Sequence, residues 1–256
     1  MTADLPPLHA DLTFLSPMSP ERAASLASWL AAGLSEGGLV LVVGCGWAEL
    51  LLRVSAAAPH ARCVGVDLDE NALAEGRRRA ASRGLVERVT LLHGAGATTG
   101  PTEVDALIAV GSTQVWGPPV EEAQPLAYAD ALTAIRSRVR RGARVVYGDG
   151  IWSRPPTAAA VAPLSGRLDE FVTLAELTDL AVDAGFAMAA VGEASLAEWD
   201  AFESGFTGGY ATWLAGHPSD HPEAVGIRER AASQRASYLD GYRGVLGMGY
   251  LQLLAV

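Results

Sequence analysis

The stretch LVLVVGCGWAELLLRV, Leu39 to Val54, decides the fold. Five apolar residues run into Gly44-Cys45-Gly46, and an apolar pattern of helical spacing follows at once. So short and uniform a run suits a strand buried on both faces. A glycine turn from such a strand into a helix lets a ligand approach the backbone and meet the positive end of the helix dipole.

The next apolar run supplies the companion feature. In CVGVDLDENAL, Asp67 closes a second strand 21 residues beyond Gly46, placed to accept hydrogen bonds from ribose hydroxyls. Loop and carboxylate in register predict an adenosine-type ligand. Asp69 is the expected N-cap of a helix starting at Glu70. Cys45 reads as a small loop residue, because no His lies nearby in sequence to activate it. The third position that dinucleotide folds reserve for glycine holds Glu49, where a carboxylate would crowd and repel a pyrophosphate, so a dinucleotide dehydrogenase is disfavoured.

From residue 19 to about 192, strand and helix patterns alternate, the signature of a sheet with helices on both faces. Ser19 caps a helix with Pro20 at its first position, ending at Gly33. The runs LVLVV, RCVGVDL, RVTLLHG, DALIAVG and ARVVYGDG are five buried strands, with helices near 47–58, 70–83 and 124–140 between them. LAELTDLAVDAGF is a further helix closed by Gly185, FAMAAVGEAS a sixth strand and GMGYLQLLAV a seventh. Between the last two strands, Leu196 to Arg243 is too long for a simple connection and reads as a helical insertion, a lid or a binding surface.

With 256 residues, half of them apolar and 19% charged, the chain is in the globular class. It reads as a single domain over 1–256, with an N-terminal helical segment at 1–36 and the insertion at about 196–243. The formal net charge of −10 and the lack of a basic stripe argue against nucleic acid as a partner. Two cysteines, Cys45 and Cys63, without a Cys/His cluster suggest neither a disulfide framework nor a metal site. No targeting pattern and no apolar stretch near 18 residues is present, which points to a cytoplasmic protein without a membrane partner.

At this point the sequence resembles the class I S-adenosylmethionine-dependent methyltransferases, over roughly Ser16 to Gly192 plus the last strand. The family's Gly-x-Gly-x-Gly loop is matched by Gly44, Gly46 and a substituted Ala48, and its ribose carboxylate by Asp67. The resemblance implies a Rossmann-like seven-stranded, mostly parallel sheet with an antiparallel last strand and helices on both faces. It implies S-adenosylmethionine as cofactor, held by Gly44, Cys45, Gly46, Asp67, Leu68 beside the adenine, Gly94, Ala95 and Gly111. RRGAR resembles the family's turn into the fifth strand. Three positions depart from the pattern. Val42 stands where a carboxylate is usual, with Glu49 as a conceivable substitute. Ala48 adds a methyl to the third glycine. HGAGA after the third strand lacks the aspartate that often meets the adenine amino group.

Methyl transfer from a sulfonium is an in-line displacement that depends first on positioning the acceptor, so a dedicated base is optional. Ligands of open α/β sheets lie beyond the carboxyl ends of the strands, where Ser112, Thr113, Gln114 and Trp116 follow the fourth strand and Asp149 and Trp152 the fifth. Asp149 and Gln114 are the candidate catalytic residues. One or two of the insertion's aromatic residues, Trp199, Tyr210, Trp213, His217, His221, Tyr238 and Tyr242, are expected to line an acceptor pocket. SPMSPE is placed either to cap the cofactor cleft or to start the first helix. The sequence thus reads as an enzyme methylating an oxygen or nitrogen of a small-molecule acceptor. The alternative is a protein of the same fold that binds S-adenosylmethionine or S-adenosylhomocysteine without catalysis, as a regulator or scaffold.

Overall fold

The computed structural model describes residues 9, 11–117 and 125–256. Seven strands form one sheet: β1 (Leu39–Val43), β2 (Arg62–Asp67), β3 (Val89–His93), β4 (Val104–Val110), β5 (Val139–Trp152), β6 (Phe186–Glu193) and β7 (Leu246–Ala255). Their order is β3-β2-β1-β4-β5-β7-β6. Neighbours from β3 to β5 pair in parallel, and β7 pairs antiparallel with both β5 and β6. A dinucleotide fold places its sixth strand directly beside the fifth and parallel to it; here an antiparallel strand lies between them.

The apolar strands are filled on both faces because successive side chains alternate. Val40 and Val42 belong to one core, shared with α1 (Pro20–Ala31), α2 (Glu49–Ala57) and α3 (Glu70–Ser82). Leu41 and Val43 face the other, shared with α4 (Tyr128–Arg138) and α6 (Leu174–Asp183). Each fully buried Leu or Val contributes about 1.5–3 kcal/mol of transfer free energy. Caps set the helix starts as the sequence predicts: the Ser19 hydroxyl accepts from the Arg22 N–H, and the Asp69 carboxylate from those of Asn71 and Ala72. The short α5 (Ala158–Val161) follows β5.

The fifth strand starts earlier than predicted. The helix expected at 124–140 runs Tyr128–Arg138, and residue 124 lies outside the described residues. RRGAR is not a turn ahead of the strand. Val139 already pairs with Val104, and the register then shifts so that Ala106 meets Arg144. The intervening residues bulge, with Gly142 at φ +82°.

The insertion comprises α7 (Leu196–Gly216), α8 (Ala224–Ala236) and a π-helical turn at Ser237–Tyr242. Trp199, Tyr238 and Tyr242 pack into the core on the α1 side. Tyr210 and Trp213 close a small cluster with Ala224 and Ile227 inside the insertion. No helix among the described residues is long and apolar enough to cross a membrane.

Candidate active site

A cleft of 460 Å³ opens at the carboxyl ends of β1 to β4, a size suited to a small ligand. All eight residues expected at the cofactor line it: Gly44, Cys45, Gly46, Asp67, Leu68, Gly94, Ala95 and Gly111. Two glycines are required by geometry. Gly44 has φ +67°, and a Cβ there would lie 2.7 Å from Cβ of Ser112. Gly46 has φ +52°, and its Cβ would meet Leu15 at 2.8 Å. Either side chain would be strained, the one at Gly44 pressing on the loop after β4 and the one at Gly46 on the N-terminal segment.

Ala48 is more than an added methyl. It sits at φ +63°, in the left-handed region that costs a non-glycine residue about 1–2 kcal/mol. It caps α2 without any side-chain hydrogen bond. The first N–H groups of α2 therefore remain available beside the cleft, which Glu49 and Leu50 help to line, and they suit a carboxylate.

The Asp67 carboxylate accepts from the Gly46 N–H (2.7 Å) and the Asp69 N–H (2.9 Å). A carboxylate offers about four acceptor sites, so capacity remains for two hydroxyls. Leu68 is 67% exposed at the same end, an apolar surface open to a flat ring. The Cys45 thiol is pushed up to about 12 by burial and then by the Asp67 carboxylate, so it stays protonated and is no nucleophile.

Glu49 behaves differently from its sequence reading. It is 4% exposed, and its oxygens accept from Arg53 (3.1 Å), Arg79 (3.3 Å) and Arg83 (2.7 Å). Burial opposes its charge, but Arg83 and Arg53 outweigh that and hold the carboxyl below the usual carboxylate range. A carboxylate matched by three guanidiniums neither repels a pyrophosphate nor substitutes for the one missing at Val42. The separation from dinucleotide enzymes rests on the placement of β7 instead.

The roof is the N-terminal segment. Phe14, Leu15, Ser16 and Met18 line the cleft, so of the two roles open to SPMSPE it takes both, roof and helix start. Trp47 anchors this roof: its indole N–H donates to the Thr13 carbonyl (2.8 Å), and Arg79 lies over its ring at 4.8 Å. The sequence reading missed Phe14, Leu15 and Trp47, and an aromatic residue inside the glycine loop was the signal available.

The two catalytic candidates separate. Gln114 lines the cleft, its amide donating to the Gly111 carbonyl (3.2 Å). Asp149 does not line it. Its carboxylate lies beneath the loop after β4, accepting from the N–H groups of Thr113 (2.9 Å) and Gly150 (2.8 Å). The Thr113 hydroxyl in turn meets the Tyr147 phenol at 2.5 Å. Burial raises the Asp149 carboxyl above its ordinary value against those hydrogen bonds. Asp149 is thereby a positioning residue for the Ser112–Gln114 loop. Trp152 is buried, with its N–H on the Leu168 carbonyl. None of the insertion's seven aromatic and histidine candidates lines the cleft; Trp199, Tyr238 and Tyr242 pack into the core on the α1 side, and Tyr210 and Trp213 inside the insertion. A second, wider groove of 730 Å³ between α1, β6 and the start of α7 contains no residue of the glycine loop.

Sheet order, glycine loop and the Asp67 carboxylate beside it together define a protein of the class I methyltransferase fold. Residues 40–133 match the family model described as a methyltransferase domain. The chain is similar to a solved S-adenosylmethionine-dependent methyltransferase from Thiobacillus denitrificans, in complex with S-adenosylhomocysteine. The two are 24% identical with a TM-score of 0.80, covering 97% of this chain and 96% of that one. A methyltransferase from Geobacter sulfurreducens, also in complex with S-adenosylhomocysteine, gives 24% and 0.79 over 98% and 99%. The uncharacterized Escherichia coli protein YjhP is 25% identical over 94% of this chain and 93% of its own length. Residues 40–133 thus carry a methyltransferase domain, and the chain as a whole shares the fold of these S-adenosylmethionine-dependent methyltransferases.

Proposed function

We propose that this protein transfers the methyl group of S-adenosylmethionine to an oxygen or nitrogen of a small molecule. The observation that carries the reading is the cleft itself, where Gly44 and Gly46, the Asp67 carboxylate and the open Leu68 surface stand together at the carboxyl ends of β1 and β2. The Asp67 carboxylate would accept from the ribose hydroxyls. Leu68, Gly94 and Ala95 would flank the adenine. The free N–H groups of α2 would take the carboxylate of the amino-acid portion. The cofactor supplies an activated methyl group, and the protein's part is to hold the acceptor against it under the Phe14–Met18 roof, away from water. Charge pattern and fold suit a single domain working in the cytoplasm on a diffusible acceptor rather than on nucleic acid or membrane.

Calorimetry with S-adenosylhomocysteine tests the site. Hydrogen bonds to an ionised group contribute about 1.5–3 kcal/mol, so Asp67→Ala weakens binding by roughly ten- to a hundred-fold. Unchanged affinity removes Asp67 from the site. Incubation with methyl-labelled cofactor and a metabolite extract tests transfer; binding without any labelled product favours the non-catalytic alternative.

A further inference from the structure

We infer that the acceptor taken by this cleft is an uncharged, largely apolar molecule anchored by a hydrogen bond to the Ser112 hydroxyl, and that phosphorylated or carboxylated acceptors are rejected. The inference rests on the methyltransferase reading and adds to it the chemical class of the acceptor.

Adjacent strands lie about 4.8 Å apart, so the end of β4 is roughly 10 Å from the end of β2, with β1 between them. A nucleoside held at Asp67 and Leu68 leaves the β1–β4 end for the reacting groups. The walls there are Val42, Ile108 and Val110 from the sheet and Phe14 and Met18 from the roof. Ser112 brings a polar side chain to this end. It is 2% exposed, and its hydroxyl has no hydrogen-bond partner among the described residues. A buried hydroxyl without a partner is unfavourable until a ligand supplies one. Asp149 fixes its place from below by holding the Thr113 N–H.

The second observation is where the positive charge sits. The chain has no lysine; all 19 basic residues are arginines. Among the described residues, no arginine or histidine lines the cleft. Arg53 lies over the Phe14 ring and Arg79 over the Trp47 ring, and the guanidiniums of Arg53, Arg79 and Arg83 are engaged with Glu49. Arg154, just after β5, is exposed and does not line it. In sequence, 1–8 and 118–124 contain no arginine or histidine. An anion entering the apolar end would lose its water with no basic side chain of the lining to replace it. A neutral molecule with one hydroxyl or amine meets matched walls and a waiting partner.

The test uses matched probes on the full chain saturated with S-adenosylhomocysteine, in buffer containing magnesium. Calorimetry compares geraniol with geranyl diphosphate, and naphthol with naphthyl phosphate. In each pair the alcohol is expected to bind at least about ten-fold tighter than its phosphorylated partner, and Ser112→Ala to weaken the alcohols about three-fold or more. The inference is overturned if a phosphorylated probe binds as well as its alcohol, or if neither alcohol binds. Alcohol affinities unchanged in a folded Ser112→Ala protein refute the role given to Ser112. Failure of the underlying methyltransferase reading shows separately, as absence of S-adenosylhomocysteine binding before any probe is added.

Discussion

Asp149→Ala separates a carboxylate that holds a loop from one that takes a proton. In the native protein its two oxygens satisfy the N–H groups of Thr113 and Gly150 in a buried setting. Truncation leaves both donors unmet, and each buried unsatisfied group costs about 1–3 kcal/mol. Part of this is offset, because burial raises the Asp149 carboxyl and the native charge is itself unfavourably placed. The expected net loss is about 2–4 kcal/mol, seen as a melting temperature lower by roughly 4 to 16 °C for a chain of this length. The loop it releases contains Ser112 and Gln114, both of which line the cleft. Affinity for S-adenosylhomocysteine should therefore fall by about 1 kcal/mol, or roughly five-fold. Circular dichroism melting and calorimetry measure the two effects. A variant with unchanged melting and unchanged cofactor affinity that nevertheless loses methyl transfer would refute the positioning role and restore Asp149 as a base.

Two further outcomes follow from the same geometry. Gly44→Ala forces a side chain into φ +67° and to 2.7 Å from Cβ of Ser112, so it should cost about 1–3 kcal/mol in urea unfolding and weaken cofactor binding as well. Wild-type values for both would show that the loop relaxes freely. Acid stability depends on Glu198, whose carboxyl burial would raise but which Arg22 and the Ser195 and Ser19 N–H groups hold down at about 2. Because its folded value lies below the unfolded one, its contribution is fully present above about pH 5 and is lost as pH falls toward about 2. Each unit corresponds to about 1.4 kcal/mol, giving up to about 3 kcal/mol. Glu198→Gln should unfold more readily at neutral pH and show a flatter stability profile between these limits; a profile as steep as wild type would exclude Glu198 as the titrating group.

Much of this protein is legible in its sequence, because the signals are local. Strand and helix periods follow from chain geometry, helix starts from Ser19 and Asp69, and the glycine loop from the conformations Gly44 and Gly46 must adopt. The spacing to Asp67 is equally local, since one helical crossover fixes how far the second strand end lies from the first. Where the reading went wrong, a distant partner decided. Glu49 looked like a free negative charge because Arg79 and Arg83 arrive from another helix. Asp149 looked accessible because nothing in its neighbourhood shows that the loop after β4 folds over it. The aromatic residues of the insertion suggested a pocket, but the most buried of them pack against the core and one another.

The sequence by itself determined the alternating architecture, the glycine-loop end of the cleft and the eight residues named for it, since these depend on backbone conformation and short-range spacing. Only the tertiary structure decided what roofs the cleft, which carboxylates are free and where the charges cancel. Burial and ion pairing are set by groups far apart in the chain, and a side chain's chemistry depends on which of them reaches it.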